Sequence, residues 1–365
     1  MPEFTATDGA MMARALMLAR RGRFTAHPNP MVGCVIARDG AVIGEGWHER
    51  DGRAHAEVNA LRNAADAAGA TVYVSLEPCA HHGRTPPCAD ALIDAGVARV
   101  VCAMQDPFPA VQGDGIARLK RAGIDVATGL LEAEAEQLNR GYLKRLRTGR
   151  PFVRAKLATS LDGAVAMRGG ESQWITGPEA RADVQRLRAE SGAVLSGIGT
   201  VLADDPSFTV RDASLATGGR QPLRAIVDSR LRMPLSSRML CQDGNTVVYC
   251  SEDGRRAALE EAGAEVVQVA SDGDHVSLPD VLDDLGSRAI NLLLVEAGPV
   301  LAGSLLAQRL VDELVIYQAP HIMGSETTSM FRTPAWQSLN DRRAVTITDV
   351  RRVGADTRLT ATLAD

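Results

Sequence analysis

The chain has 365 residues, a formal net charge of −5 and 4% aromatic residues, a composition that argues against a nucleic-acid-binding protein with a basic, aromatic-rich surface. Its length exceeds what one hydrophobic core usually serves, so two domains are expected. No apolar span is long enough to cross a membrane, charged residues interrupt the N-terminal segment from Asp8 to Arg21, and the six cysteines follow no leader sequence. We therefore expect a cytoplasmic protein with reduced thiols and no membrane partner.

The first half alternates helix-like and strand-like runs. Asp8 is predicted to cap a first helix, and two strands over 31–37 and 41–47 are joined by a hairpin turn at Asp39-Gly40. Further elements are predicted as a helix over 55–68, a strand over 71–75, a helix over 88–95, a strand over 97–104 and a helix over 131–147.

The junctions between these elements carry the most specific chemistry. His55 opens one predicted helix, Cys79 follows a strand and Cys88 opens the next helix. One imidazole and two thiolates are ligands that Zn²⁺ prefers, and three protein ligands leave the open position that hydrolysis needs. Glu57 lies two residues from His55 and is free to transfer protons, so we predict a catalytic zinc site with Glu57 as the acid/base residue.

Two other interpretations of this cluster remain. A structural zinc site would take its fourth ligand from His81 or His82, although this would leave Glu57 without a function. A disulfide between Cys79 and Cys88 is the second alternative, and the sparse cysteines of the chain argue against it.

A domain boundary is predicted where Gly149 and Pro151 interrupt the chain after the charged helix. Beyond it, apolar runs alternate with helical segments, which indicates a mostly parallel sheet with covering helices. The predicted strands are 152–159, 193–195, 223–227, 246–249, 265–269, 291–295 and 314–318.

Three features of the second half suggest cofactor or substrate binding. Lys156 lies inside an apolar strand in a chain with only three lysines, and is either a donor aimed at a ligand or a lysine of an edge strand that points to water. The turn from Glu296 to Ser304 offers backbone N–H groups to a pyrophosphate or is an ordinary strand-to-helix turn. Ser229-Arg230 suits an adenosine 2′-phosphate or is a solvated turn.

These motifs resemble those of a known family. His55-Ala-Glu57, the segment from Pro78-Cys79 to Cys88 and His27-Pro-Asn29-Pro-Met-Val-Gly33 are similar to the deaminase half of the bifunctional riboflavin-pathway RibD family. Four further motifs are similar to the reductase half of this family. They are Lys156 with Ser160-Leu-Asp-Gly163, Ser172-x-Trp174-Ile-Thr176, Gly197-x-Gly199-Thr200 with Asp204-Asp205-Pro206, and Glu296-x-Gly298-Pro299. The likeness covers nearly the whole chain.

The resemblance implies an α/β protein, with a cytidine-deaminase-like three-layer α/β/α domain over 1–147 and a dihydrofolate-reductase-like α/β domain over 150–365. It also implies two reactions on a phosphoribosylated pyrimidine. The first is zinc-dependent hydrolytic deamination of 2,5-diamino-6-(5-phosphoribosylamino)pyrimidin-4(3H)-one to 5-amino-6-(5-phosphoribosylamino)uracil. The second is reduction by NADPH of the ribosyl chain, in its opened aldehyde form, to the ribityl chain. A homo-oligomer is expected.

Site residues follow from the same resemblance. The implied NADPH contacts are Ala158, Trp174, Thr200, Asp204, Ser229, Gly298, Pro299, Val300, Leu301, Ala302, Gly303 and Ser304. The implied substrate contacts are Ser172, Arg188, Phe208, Arg211 and Glu296. Asn29 and His81 are further candidates, either to contact the pyrimidine or to order the zinc loop, and Lys156 or Glu296 is a candidate proton donor for the reduction. Ala297 and Phe208 depart from the residues that the family commonly has at these positions.

Two rival hypotheses have different consequences. A zinc-dependent nucleic-acid-editing protein with a docking module would need the basic surface that the composition lacks. A degenerate scaffold with one active half would perform only one of the two reactions.

Overall fold

A computed structural model describes residues 4–80, 86–108 and 112–363. The chain forms two compact units, Met1–Gly149 and Arg150–Asp365. Within the described ranges, no helix has both the length and the apolar character needed to cross a membrane.

The first unit is built on a five-stranded sheet. Its elements are α1 (Ala6–Ala19), β1 (Gly33–Arg38), β2 (Ala41–Trp47), α2 (Ala56–Asn63), β3 (Thr71–Val74), α3 (Cys88–Asp94), β4 (Arg99–Cys102), α4 (Asp114–Arg121), β5 (Asp125–Thr128), α5 (Glu132–Leu138) and α6 (Arg140–Thr148), with a 3₁₀ turn at Arg20–Phe24. The strand order is β2-β1-β3-β4-β5, antiparallel from β2 to β3 and parallel from β3 to β5.

Alternating side chains of this sheet enter two separate cores. On one face, Ile36 and Val100 pack with the apolar sides of α2, α3 and α4. On the other face, Val35 and Val101 pack with α1, α5 and α6. Because side chains alternate across a strand, helices cover both faces and the unit has the three-layer α/β/α arrangement that was expected.

Three predicted helices differ in detail. Thr5, rather than Asp8, caps α1, because the Thr5 hydroxyl accepts from the Asp8 N–H while the Asp8 carboxylate accepts from the Thr5 N–H. Helix α2 ends at Asn63 instead of residue 68, since Asp66 accepts the N–H of Ala68 and holds a turn there. The helix predicted over 131–147 is two helices, broken at Asn139, whose side chain bonds the backbone of Met31.

The second unit is built on a nine-stranded sheet. Its elements are β6 (Phe152–Thr159), β7 (Ala164–Met167), α7 (Pro178–Glu190), β8 (Ala193–Gly197), α8 (Ile198–Asp204), β9 (Leu223–Val227), β10 (Thr246–Cys250), α9 (Arg256–Glu261), β11 (Ala264–Gln268), β12 (Ser271–Asp272), β13 (His275–Val276), α10 (Leu278–Ser287), β14 (Leu292–Val295), α11 (Pro299–Ala307), β15 (Glu313–Gln318), β16 (Thr327–Ser329), β17 (Val345–Val353) and β18 (Asp356–Leu363), with 3₁₀ turns at Arg238–Leu240 and Leu339–Asp341.

The order of the large sheet is β11-β10-β9-β8-β14-β6-β15-β18-β17. Its strands are parallel from β11 to β15, as predicted, and the final pair β18-β17 is antiparallel. Helices α10 and α11 cover one face, and α7, α8 and α9 cover the other. Strand β6 lies between β14 and β15, so the edge-strand alternative for Lys156 is wrong.

Candidate active sites

In the first unit, the three predicted metal ligands come together. Their ligand atoms all lie within 4.8 Å of one another, and this is the one such group within the described ranges. The His55 Nδ1 atom is 3.6 Å from the Cys79 Sγ and 3.2 Å from the Cys88 Sγ. His55 is the N-cap residue of α2, and Cys88 is the first residue of α3. Two helix N-termini therefore converge on the end of the segment that follows β3.

Both cysteines are free thiols, so the disulfide alternative is wrong. A hydrogen bond from Cys88 lowers the pKa of Cys79, and the same bond together with burial raises the pKa of Cys88. Cys79 is therefore the more acidic thiol of the pair. Both thiols lose their protons when they coordinate a divalent cation. His81 and His82, the proposed fourth ligands of a structural site, lie outside the described residues.

Glu57 lies in the first turn of α2, two residues from His55, and its side chain is 3% exposed. Burial is the largest influence on its pKa, which rises to about 7, and the negative charge of Cys79 adds to the increase. A carboxyl group with a pKa near neutrality can both accept and donate a proton at physiological pH. The position and the pKa both suit an acid/base residue beside the metal ligands.

A second layer around these residues contains Asn29, which the sequence predicted, and His48, which it did not. The ring of buried His48 packs edge-on against that of His55, with centroids 5.4 Å apart. The Asn29 amide nitrogen lies 3.1 Å from the His48 Nε2 and donates to the Asp51 Oδ1 at 3.1 Å. Asn29 is thus linked through the His48 ring to that of His55. One sequence feature could have pointed to His48: it is a polar residue directly after an apolar strand.

The second unit contains a cavity of about 1480 Å³ at the carboxyl ends of its parallel strands. This is where open α/β sheets bind ligands. The predicted residues that line it are Lys156, Ala158, Ser172, Trp174, Arg188, Thr200, Asp204, Phe208, Arg211, Ser229, Glu296, Gly298, Pro299, Val300, Leu301 and Ser304.

Ala302 and Gly303 are absent from the described cavity lining. Ala302 packs in the apolar core. A Cβ atom at Gly303 would lie 2.1 Å from the carbonyl oxygen of Arg332, so glycine is needed there for close packing. The structure therefore places both residues on the inner side of α11.

Charged groups meet at the centre of the cavity. Arg188 donates to both carboxylate oxygens of Glu296, at 2.5 and 3.0 Å, and also to the Thr209 carbonyl at 3.2 Å. Burial opposes ionisation of Glu296, but the positive charges of Arg188 and Lys156 outweigh it and lower the Glu296 pKa. Burial also lowers the pKa of Lys156. The cavity thus presents an ammonium group next to an ionised, paired carboxylate.

Polar groups also surround the outer parts of the cavity. The Ser229 hydroxyl accepts the Val276 N–H at 3.1 Å and keeps its own proton to donate. Arg230 is exposed at the cavity wall and forms long ion pairs with Asp274 at 3.4 Å and Glu252 at 3.5 Å. The Trp174 ring, 69% exposed, lies under the Arg181 guanidinium at 4.7 Å.

Comparison with known proteins identifies the family of both units. The family model for the cytidine and deoxycytidylate deaminase zinc-binding region matches residues 5–104, and that for the RibD C-terminal domain matches residues 151–359. The riboflavin biosynthesis protein RibD of Escherichia coli K12 is 51% identical over 359 residues, which cover 96% of this chain and 97% of the relative. The chain belongs to the RibD family.

Solved RibD structures match both units together. RibD of Acinetobacter baumannii has a TM-score of 0.92 at 42% identity, covering 98% of this chain and 99% of that chain. The diaminohydroxyphosphoribosylaminopyrimidine deaminase/5-amino-6-(5-phosphoribosylamino)uracil reductase of Thermotoga maritima has a TM-score of 0.87 at 32% identity, with the same coverage. The chain is thus a bifunctional RibD-type enzyme of riboflavin biosynthesis, with a zinc-binding deaminase half and a reductase half.

The residues present fit the two cofactors of RibD enzymes. One imidazole nitrogen and two thiol sulfurs within 4.8 Å of one another are a donor set suited to Zn²⁺. The cavity of the second unit has room for a dinucleotide and a substrate. The start of α11 at Gly298 presents helix N–H groups at the wall of this cavity.

Proposed function

We propose that residues 1–147 deaminate the diaminopyrimidine substrate at His55, Cys79, Cys88 and Glu57, and that residues 150–365 reduce the product in the large cavity. The observation that carries this proposal is the convergence of the three ligands beside a buried carboxyl group. Zinc, when bound, supplies a water molecule acidic enough to serve as the nucleophile.

In the deamination, Glu57 transfers protons between the attacking water and the substrate. Its carboxylate takes a proton from the attacking water and transfers it to the substrate, where the amino group leaves as ammonia and the ring carbon gains oxygen. Burial raises the pKa of Glu57 to about 7, so the same group can accept the proton of the water and then donate it. The Asn29 side chain is proposed to orient the pyrimidine, and His48 holds the Asn29 amide in place.

In the reduction, Lys156 is proposed to deliver the proton. NADPH, when bound, supplies the hydride to the C1′ carbon of the opened ribosyl chain. Opening the ribosylamino ring leaves C1′ bonded to the exocyclic nitrogen as an imine and not as an aldehyde, so the hydride goes to C1′ and a proton goes to that nitrogen. Burial lowers the pKa of Lys156, which makes its ammonium group a stronger acid and suits it to supply this proton. Glu296 is held ionised by Arg188, which suits it to orient hydroxyl groups or Lys156 rather than to donate a proton.

The substrate phosphate is proposed to bind Arg211. All three guanidinium nitrogens of Arg188 already donate to Glu296 or Thr209. Arg211 lines the same cavity, and its backbone is anchored by the Gln185 side chain at 2.8 Å. A guanidinium group can bind a phosphate through two hydrogen bonds.

Arg211→Ala is expected to raise the KM for the phosphorylated substrate of the reduction about 10- to 100-fold, since a hydrogen bond to a charged group contributes about 1.5–3 kcal/mol. Initial-rate kinetics of both reactions provide the measurement. Arg186→Ala is the matched control, because Arg186 is exposed on α7 outside the described cavity lining. An equal rise in the KM for deamination would contradict a separate phosphate site.

The two activities can be tested separately in one preparation. Purified protein is supplied with the diaminopyrimidine substrate and NADPH, while ammonia release and nicotinamide absorbance are followed independently. Treatment with a chelator is expected to abolish ammonia release, whereas NADPH oxidation on added deaminated intermediate should continue. Ammonia release by metal-free protein would refute the zinc mechanism, and failure to oxidise NADPH would leave only the deaminase half active.

We also propose that the enzyme is a cytoplasmic homo-oligomer. The edge strand β17 exposes the apolar side chains of Val345, Ile347 and Val350, which is the kind of strand that natural proteins usually cover. Sedimentation or light scattering of wild-type protein and of Ile347→Lys tests this, and a wild-type monomer would refute it. The free thiols suit a reducing compartment.

A further inference from the structure

We propose that α4 is a brace for the metal centre, and that Glu77 and Arg118 are positioning residues that hold the two cysteine ligands at the correct separation before the metal binds. The brace contacts the chain on both sides of Cys79 and also contacts α3, which begins with Cys88. This inference rests on the proposed zinc centre.

The first contact is made by Glu77, two residues before Cys79. Its buried carboxylate accepts three backbone N–H groups, from Asp106 at 3.2 Å, Gly113 at 3.1 Å and Ile116 at 3.1 Å. Two of these donors belong to the start of α4. A buried charge with three donors is fixed in position, so Glu77 ties the segment before Cys79 to the N-terminus of α4.

The second contact is a close approach of two backbones. A Cβ atom built on Gly115 would lie 1.9 Å from the carbonyl oxygen of Pro78, the residue directly before Cys79. Only glycine allows α4 to come this near. The first turn of α4 therefore lies directly against the ligand segment.

The third contact is made by Arg118, one turn further along α4. Its guanidinium donates to the carbonyl oxygen of Ala80, directly after Cys79, at 3.0 Å. It also forms an ion pair with Asp90 at 2.6 Å, and Asp90 lies in the first turn of α3. One side chain thus joins the segment that carries Cys79 to the helix that carries Cys88.

The two ligands have their own direct link. The Cys88 N–H donates to the Cys79 Sγ at 3.3 Å, and the Ala89 N–H donates to the Cys79 carbonyl at 3.1 Å. These bonds require the segment and α3 to stay in one relative position. Groups outside the ligand shell that orient the ligands in this way commonly change metal affinity about 10- to 100-fold when they are replaced.

The test compares three variants of the full-length enzyme. Arg118→Gln removes both contacts of the guanidinium, and we expect its zinc affinity, measured by competition with a chromophoric chelator, to fall about 10- to 100-fold. Arg118→Lys keeps a charge but presents a single point donor instead of a fork, so an intermediate affinity is expected. Arg121→Gln is the matched control, because the Arg121 side chain bonds the Ala117 carbonyl of its own helix.

A second measurement separates positioning from general stability. Cobalt(II) replaces zinc in each variant, and the thiolate charge-transfer and d–d bands report the ligand geometry. Altered bands in Arg118→Gln, with unchanged circular dichroism and unchanged NADPH oxidation, would support the brace.

Three results would overturn the proposal. Arg118→Gln with wild-type zinc affinity and cobalt spectrum would show that α4 does not position the ligands. Equal losses in Arg118→Gln and Arg121→Gln would attribute the effect to the helix in general. A wild-type enzyme that binds no zinc would remove the proposed metal centre together with its brace.

Discussion

Glu57→Gln is expected to retain zinc and to lower the rate of deamination by about 10²–10⁴-fold, the usual contribution of an acid/base residue. Glutamine has nearly the size of glutamate, so the packing of the buried side chain is preserved. An amide cannot carry a proton from water to the leaving amino group. Ammonia release at saturating substrate, together with metal analysis of the same sample, is the measurement.

Two controls make the Glu57 result decisive. NADPH oxidation by the same variant reports the state of the other half of the chain, and it should equal that of the wild type. Glu45→Gln replaces a more exposed acid on β2, which pairs with Arg14 at the surface, and should leave both rates unchanged. Loss of zinc in Glu57→Gln would instead identify Glu57 as a ligand, which would contradict its proposed role.

Lys156→Met is expected to lower the rate of NADPH oxidation by about 10²–10⁴-fold and to leave ammonia release unchanged. Methionine fills similar space without a proton to donate. The ion pair between Arg188 and Glu296 remains, so the cavity does not acquire an unpaired buried carboxylate. Pre-steady-state absorbance measurements with the deaminated intermediate separate the reductive step from product release.

Lys156→Arg distinguishes two functions of the ammonium group. Arginine keeps the positive charge beside Glu296 but does not release a proton near neutral pH. If Lys156 is the proton donor, both variants should be slow. Recovery of the rate in Lys156→Arg would show that the positive charge alone is needed, and the proton would then come from another source.

The metal centre could be predicted from the sequence because its ligands lie at the ends of regular elements. His55 and Cys88 begin helices that the apolar periodicity indicates, and Cys79 follows a short β-branched strand. Strands β2 and β3 both pair antiparallel with β1, so they run in the same direction and their carboxyl ends lie at one edge of the sheet. The layers around the ligands depend on side-chain contacts between distant segments, and no local pattern reports those contacts.

Other parts of the fold were not predicted from the sequence, and the structure shows the reason in each case. Helix α4 is strongly polar and only eight residues long, so its apolar face is reduced to a few residues, Leu119 among them. Strand β17 exposes nearly every side chain and lacks the alternation of a half-buried strand. Asn139 interrupts a continuous helical pattern because it bonds Met31, more than a hundred positions away in the chain.

The reductase cavity shows a different limit. The family resemblance named its lining, but it could not show that Arg188 is already engaged by Glu296 or that Gly303 faces the Arg332 backbone. Both features result from the way α7 and α11 pack against the sheet. A residue at a motif position can therefore support a neighbouring residue rather than the ligand itself.

Each of the four sheets, including the two-stranded pairs β12-β13 and β16-β7, is hydrogen-bonded only among strands of its own unit, as far as the described residues extend. Dividing the polypeptide near Gly149 would therefore separate no pair of hydrogen-bonded strands among the described residues. Because both units belong to one polypeptide, translation of a single message produces deaminase and reductase in a one-to-one ratio. Two separately synthesised halves would have to match their expression levels to achieve the same ratio.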